Sequence, residues 1–254
     1  MSIKEFNPSL IKPPFSALFL GKSGSGKTEQ LHRVVYQVHK DHKFDEVHIF
    51  STTCKIYRKE FFYVPHENFH NDIDVDFIDI IVQNQINIAE IKGKEECSKI
   101  LFLFDDIIGS PFMKSRTMKD LYTAGRHANC STILLSQSYK QNSGLPTIMR
   151  ENTNWIFSFF QQNYKQRVSF VEEYLSIKTI KEGTELYKKI TDEDKRSIVI
   201  NCKNVSARQY EEYVYKYKID INKKVRNFKI GNYRTTPTPD SLRRNPFVMQ
   251  DLYN

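Results

Sequence analysis

The sequence predicts an α/β fold: a mostly parallel central sheet with helices on both faces. Three observations carry this expectation. Short apolar runs with almost no polar interruption recur along the chain, as strands buried on both faces require. Segments with apolar residues at helical spacing alternate with those runs. A glycine-rich loop joins the first such run to the first such helix. At 254 residues, 39% of them hydrophobic, the chain is long enough to bury a large core.

Taken in order, Phe15 to Leu20 ("FSALFL") reads as a short buried strand. The stretch "TEQLHRVVYQVHK" then places Leu31, Val34, Val35 and Val38 on one face of a helix from about Thr28 to His39. Glu46 to Thr52 is the second expected strand. Phe77 to Val82 ("FIDIIV") fits a strand or the start of a helix, because a short apolar run has no decisive period. Lys99 to Asp106 ("KILFLFDD") is a strongly apolar strand closed by two acids. A helix is expected near Lys114 to Ala124, followed by strands at Ser131 to Gln137 and Asn154 to Phe160. A helix at Tyr164 to Leu175, a strand at Arg196 to Cys202 and a helix at Ser206 to Tyr217 complete the pattern. From about Lys223 the periodicity fades, and "TTPTPDSLRRNP" reads as an extended or disordered tail. The expected division is residues 1–222 for the α/β unit and 223–254 for a basic, flexible tail.

The loop carries the first chemistry. "GKSGSGKT" fits G-x-x-x-x-G-K-[ST], with Gly21, Gly26, Lys27 and Thr28 at the fixed places. Such a loop wraps a phosphate chain in backbone N–H groups, and side chains would block the approach. Gly24 and Ser25 complete the cradle. Lys27 is expected to reach the outer phosphates as a point charge, and Thr28 to place its hydroxyl on Mg2+. The helix that follows aims the positive end of its dipole at the anion. The cofactors read from this motif are ATP and Mg2+.

The acid-ended strand is the loop's natural partner. It brings Asp105 to the C-terminal edge of the sheet, where its carboxylate would bind Mg2+ directly or through a water, while Asp106 is placed to polarise the attacking water. "STILLSQSY" ends a neighbouring strand in polar residues. Gln137, with Ser136 as the lesser candidate, is positioned to touch both the γ-phosphate and that water. A strand between the binding loop and the acid strand, together with paired acids, suits hydrolysis better than phosphorylation of a small molecule. The fold class narrows to a P-loop NTPase of the RecA-like (ASCE) type.

The order of these motifs is similar to a known group. "GKSGSGKT", then "ILFLFDD", then "GRHANCSTILLSQSY", then "LPTIMRENTNWIFSF" resembles the FtsK/HerA superfamily of ATP-driven DNA pumps, and within it the poxvirus-type genome-packaging ATPases of large eukaryotic DNA viruses and virophages. The likeness spans roughly residues 12–175. It implies an ATPase ring, commonly a hexamer, that pushes double-stranded DNA without regard to sequence into a preformed capsid or portal-like vertex. It also implies a place of work inside the host cell where virus is assembled, the cytoplasmic virus factory, with association with the virion a further expectation. The resemblance carries Lys27, Thr28, Asp105 and Gln137 into the family's phosphate, metal and sensor roles. One departure stands out: the family's second acid is often Glu, and here it is Asp106, one methylene shorter. Rings of this kind usually complete each site with an arginine from the neighbouring subunit, for which Arg126 and Arg150 are the candidates, Arg126 leading. The alternative reading of either is a salt bridge that fixes a helix end. A second functional class remains open, a nucleotide-switched protein that loads DNA or a partner without processive movement. A P-loop nucleoside or nucleotide kinase is a third, disfavoured by Gln137 and by the basic tail.

Charge supports a polyanionic partner. The formal net charge is +8, and the stretch from Ile221 to Asn254 holds seven Lys and Arg against two Asp. Lys114, Arg116 and Lys119 after the acid strand, and Lys140 after the sensor strand, are candidate DNA contacts. No apolar run approaches a membrane span and "MSIKEFNPSL" lacks a signal-peptide core, so a soluble, intracellular protein without a membrane partner is expected. The four cysteines are scattered and read as reduced thiols. "HENFH" fits the zinc-peptidase pattern H-E-x-x-H, but Pro65 precedes it, poor helix formers follow it and no third ligand is evident. "DIDVD" begins like a calcium loop and lacks its later glycine and glutamate. Both are set aside.

Overall fold

The structure is a computed structural model, and it describes residues 3–51, 60–107, 109–137, 145–204, 206–219, 225 and 227–231. Among the described residues nine strands form one sheet: β1 (Lys4–Glu5), β2 (Ser16–Leu20), β3 (Glu46–Ser51), β4 (Phe69–His70), β5 (Ile100–Asp105), β6 (Cys130–Ser136), β7 (Trp155–Phe159), β8 (Arg196–Asn201) and β9 (Val214–Lys218). Their spatial order is β1-β9-β8-β7-β2-β6-β5-β3-β4. All neighbours run parallel except those of β8, which is antiparallel to both β7 and β9. The α-helices among the described residues are α1 (Lys27–His42), α2 (Val75–Lys92), α3 (Arg116–Thr123), α4 (Thr147–Asn152), α5 (Tyr164–Tyr174) and α6 (Ile180–Thr191).

The apolar runs are continuous because the central strands each feed two cores. In β2, Leu18 and Leu20 join one buried cluster, while Ala17 and Phe19 join the other. In β5, Phe102 and Phe104 face the first cluster, and Leu101 and Leu103 the second. This is the period-2 alternation of a strand buried on both sides. The first cluster is closed by residues of α2, α3, α5 and α6. The second is closed by Leu31, Val34, Val35 and Val38 of α1, by Phe61, Tyr63 and Val64, and by Ile230. Phe228 stacks on Tyr63 at 4.7 Å, and the Ile230 N–H donates to the Tyr63 carbonyl at 3.0 Å. Residues 228–230 therefore pack against the α/β unit although they lie past position 222.

Side-chain caps explain most helix starts. Asp74 accepts from the Phe77 N–H at 3.0 Å, so Phe77 to Val82, undecided from sequence, lies inside α2. One of the acids in "DIDVD" is thus a helix cap. Ser115 caps α3 through the Met118 N–H, Asn163 caps α5 through the N–H groups of Lys165 and Gln166, and Thr179 caps α6 through the Glu182 N–H. Helix α6 has no counterpart in the sequence reading. The helix expected at Ser206 to Tyr217 is a correction. A short 3-10 turn (Tyr210–Glu212) is followed by β9, where Val214 and Tyr217 are buried and β8 lies alongside from Ile200↔Val214 to Arg196↔Lys218. The aromatic and β-branched residues of "YVYKYK" favour a pleated, half-buried strand over a helix. The "HENFH" stretch is split between a 3-10 turn (His66–Asn68) and β4, and His70 stacks on Phe50 at 4.4 Å. Its two histidines do not share a helical face.

Candidate functional site

Strand β2 delivers the chain to the phosphate loop at the sheet's C-terminal edge, where the Gly21 N–H donates to the Ser136 carbonyl at the end of β6 (3.0 Å). Gly21 has no room for a side chain: a Cβ there would lie 2.6 Å from Ser25 Oγ and 2.9 Å from Phe159 Cβ. Gly26 takes φ +97°, a left-handed conformation that L side chains rarely adopt, and it ends the loop as the N-cap of α1. No side chain caps α1, so its first N–H groups are left for another acceptor. The Ser25 hydroxyl is buried without a hydrogen-bond partner among the described residues. Bare loop, uncapped helix and orphaned hydroxyl together fit an oxyanion such as phosphate.

Lys27 opens α1. Its ammonium donates to the Gly21 carbonyl and to the Lys22 carbonyl, the latter at 2.9 Å. Burial lowers its pKa, against the opposing pull of Asp105 and Asp106. Asp105 closes β5, in register with Ser51 of β3 and Leu135 of β6. Its carboxyl is pushed up to about 6, first by burial and then by the negative charges of Asp106 and Glu60, with Lys27 and the Asp106 N–H working the other way. Asp106 is exposed and sits at φ +54°. Lys27, Thr28, Asp105 and Asp106 line one cavity of about 760 Å³, together with Ser23, Gly24 and Gly26. Thr28 and Asp105 offer hard oxygen donors of the kind Mg2+ takes. Among the described residues no group of three His, Cys, Asp or Glu side chains is placed to hold a metal ion by itself.

The remaining expected site residues fall in two places. Gln137 follows β6 at the loop's own edge of the sheet, exposed, and is not part of the cavity lining. Arg126 and Arg150 lie at the other edge. Arg126 is in the 3-10 turn (Gly125–Ala128) that leads into the start of β6, exposed, with Nε donating to His127 Nε2 at 3.2 Å. Arg150, in α4 ahead of β7, pairs with Glu173 at 2.6 Å and donates to Thr147 Oγ1 at 3.0 Å. The length of a strand, seven residues in β6 ahead of Arg126's edge and five in β7 ahead of Arg150's, or roughly 17–23 Å, separates both from the phosphate loop of their own chain. Lys114, Arg116 and Lys119 are exposed beyond β5, Arg116 paired with Asp120 at 3.4 Å. Lys140 and most of the basic tail lie outside the described residues.

The sequence reading missed the rest of the lining. His32, Phe61 and Phe62 wall the cavity beside α1, with the His32 ring edge-on to Phe61 at 5.3 Å and its pKa lowered by burial to about 4. Glu60 adds a carboxylate from the segment after β3, and Lys195 a cation from the turn before β8. None of these belongs to a motif of fixed spacing. Only the strand order places them.

Comparison with known proteins agrees with this geometry. Residues 3–184 match the family model described as Poxvirus A32 protein. The chain is 30% identical over 173 residues to DNA packaging protein OPG160 of Vaccinia virus (strain Copenhagen), covering 61% of this chain and 57% of that one. It is 31% identical over 173 residues to the Monkeypox virus protein of the same name, covering 61% and 51%. The chain thus spans a little over half the length of these relatives. Among solved structures, the genome packaging NTPase B204 from Sulfolobus turreted icosahedral virus 2, in complex with AMP, superposes with a TM-score of 0.56 at 14% identity, over 85% of this chain and 100% of that one. The pCW3 conjugation coupling protein TcpA, monomer form with ATPgS, gives 0.54 at 14% identity, over 82% and 60%. These two likenesses establish the P-loop NTPase fold, and the family match over 3–184 establishes that the chain belongs to the Poxvirus A32 protein family.

Proposed function

We propose that this chain is an ATP-hydrolysing motor that drives double-stranded DNA, irrespective of sequence, into a preformed viral capsid, working as a homo-oligomeric ring. The observation that carries the reading is one cavity that holds the glycine loop, Lys27, Thr28, Asp105 and Asp106 together. In that cavity the loop N–H groups and Lys27 would hold the triphosphate. Thr28 and Asp105 would hold Mg2+, which supplies neutralisation of the charge on the β- and γ-phosphates. Asp106 and Gln137, just past the ends of β5 and β6 on the loop's edge of the sheet, would orient the attacking water, and the Asp106 carboxylate would take up its proton. Arg126 or Arg150 can serve only the site of another copy, since each lies at the far edge of its own sheet. The relatives' name, DNA packaging protein, supports DNA as the substrate. The exposed Lys114, Arg116 and Lys119 support electrostatic contact with a polyanion.

The deciding experiment measures ATP hydrolysis by the purified protein with and without long duplex DNA, alongside the mass of the assembly. A motor speeds up several-fold on duplex, and the gain is lost as salt is raised. Slow turnover indifferent to DNA would instead identify a nucleotide-switched loader.

A further inference from the structure

The wall opposite Asp105 has no role in the reading above. In the sheet, β5 lies on one side of β2, and β7 with β8 on the other. The turn between α6 and β8 therefore overlooks the phosphate loop from the side away from the acids. Lys195 is its last residue, at φ +56°, and it lines the same cavity as Lys27. Its backbone and stem pack on the loop: a Cβ on Gly26 would lie 3.2 Å from Lys195 Cγ and 3.5 Å from its Cα. Its ammonium lies 3.3 Å from the carboxylate of Glu29, in the first turn of α1.

This placement is built into the fold. Gln30, fully buried, donates through Nε2 to the Lys195 carbonyl (3.1 Å) and to the Tyr217 carbonyl (3.0 Å). Its Oε1 accepts from Ser197 Oγ at 2.7 Å. One amide from α1 thus ties the start of β8, the end of β9 and the Lys195 turn to the helix that carries the phosphate loop. The charge around the loop gives the lysine something to do. The described lining carries the carboxylates of Glu29, Glu60, Asp105 and Asp106 against two ammonium groups, Lys27 and Lys195. A polyphosphate entering this cavity needs both cations.

We infer that Lys195 is a second phosphate-binding cation of the site, reaching the phosphates beside Gly26 that nucleoside di- and triphosphates share, and that Gln30 is the positioning residue that holds it there. The inference rests on the nucleotide reading and deepens it. Glu29 keeps the ammonium over the loop, and phosphate oxygens compete for it.

The test titrates the full chain with ADP and with a non-hydrolysable ATP analogue. Lys195→Met keeps the stem that packs on Gly26 and removes the charge. It should weaken both nucleotides alike, by roughly tenfold, the scale of a charged hydrogen bond, with an unchanged thermal melt. Lys195→Arg should recover most of the affinity. If Lys195 only neutralises Glu29, the Glu29→Gln/Lys195→Met double variant returns to wild-type affinity, and the inference falls. Wild-type affinity in Lys195→Met, with binding abolished in Lys27→Ala, also overturns it and leaves the phosphate loop standing. Failure of the wild-type chain to bind either nucleotide overturns both readings.

Discussion

Asp105 is a costly residue to leave ionised. Its carboxyl titrates near 6 in the folded chain, against an ordinary value of 3.8. The folded state therefore binds a proton more readily than the unfolded one. The stability this proton confers is fully present below about pH 4 and is lost as pH rises through 6. Asp105→Asn should consequently stabilise the nucleotide-free protein at pH 7, by on the order of 2 kcal/mol in a urea titration, while abolishing ATP hydrolysis. An Asn variant no more stable than wild type would show that the carboxylate is not held against its charge. Gln137 makes the complementary case. It stands outside the cavity lining, so Gln137→Ala should leave nucleotide affinity within about twofold and lower kcat by roughly 10²-fold, measured by single-turnover hydrolysis.

Helix α6 shows where the sequence is hardest to read. Gly183, the fourth residue of the helix, is a poor helix former and hides the helical pattern of "IKEGTELYKKIT". The structure supplies the reason for it: a Cβ at 183 would lie 2.3 Å from Val171 Cγ1 of α5. Gly183→Ala gains helix propensity of about 1 kcal/mol yet should destabilise by about 1–2 kcal/mol net in denaturant unfolding, and Val171→Ala in the same chain should restore much of the loss. The phosphate loop, its strand and the acid-ended strand were legible because chemistry fixes their residue types at fixed spacing. Strand β9 was not, because the tyrosines of "YVYKYK" fit either period until β8 lies beside them. The walls supplied by Glu60 and Lys195 were not either, since only the strand order brings them to the loop. Burial of histidine gives a further signature. His32 and His70 are held neutral, their pKa values lowered to about 4 and about 3 chiefly by desolvation. Their stability contribution is present above the ordinary 6.5 and is lost as pH falls toward those values. The melting temperature should drop between pH 7 and pH 5. His70→Phe, which keeps an aromatic ring against Phe50, should shrink that drop by the equivalent of about 1–2 kcal/mol.

At the scale of the whole molecule, the proposed site is divided between the two edges of one sheet. The phosphate loop, Asp105 and Gln137 occupy the C-terminal edge of the parallel strands, and Arg126 stands where β6 begins. A strand's length of about 20 Å forbids that arginine from touching its own triphosphate. In the proposed ring, an arginine on the far edge would be available to a neighbour whose phosphate loop faces it. Arg150 is less available, because Glu173 and Thr147 already hold it. The expectation is a complementation that no single-chain site can show. Arg126→Ala should abolish hydrolysis although its own loop still binds nucleotide, and Lys27→Ala should abolish both binding and hydrolysis. When the two variants are mixed and reassembled, a Lys27→Ala copy lends its intact Arg126 to the intact loop of an Arg126→Ala neighbour, and turnover reappears. The recovered rate should rise and then fall as the mixing ratio is swept, with its maximum near equal amounts. A mixture as inactive as its parents, or an Arg126→Ala ring that hydrolyses ATP at the wild-type rate, would remove Arg126 from the catalytic site.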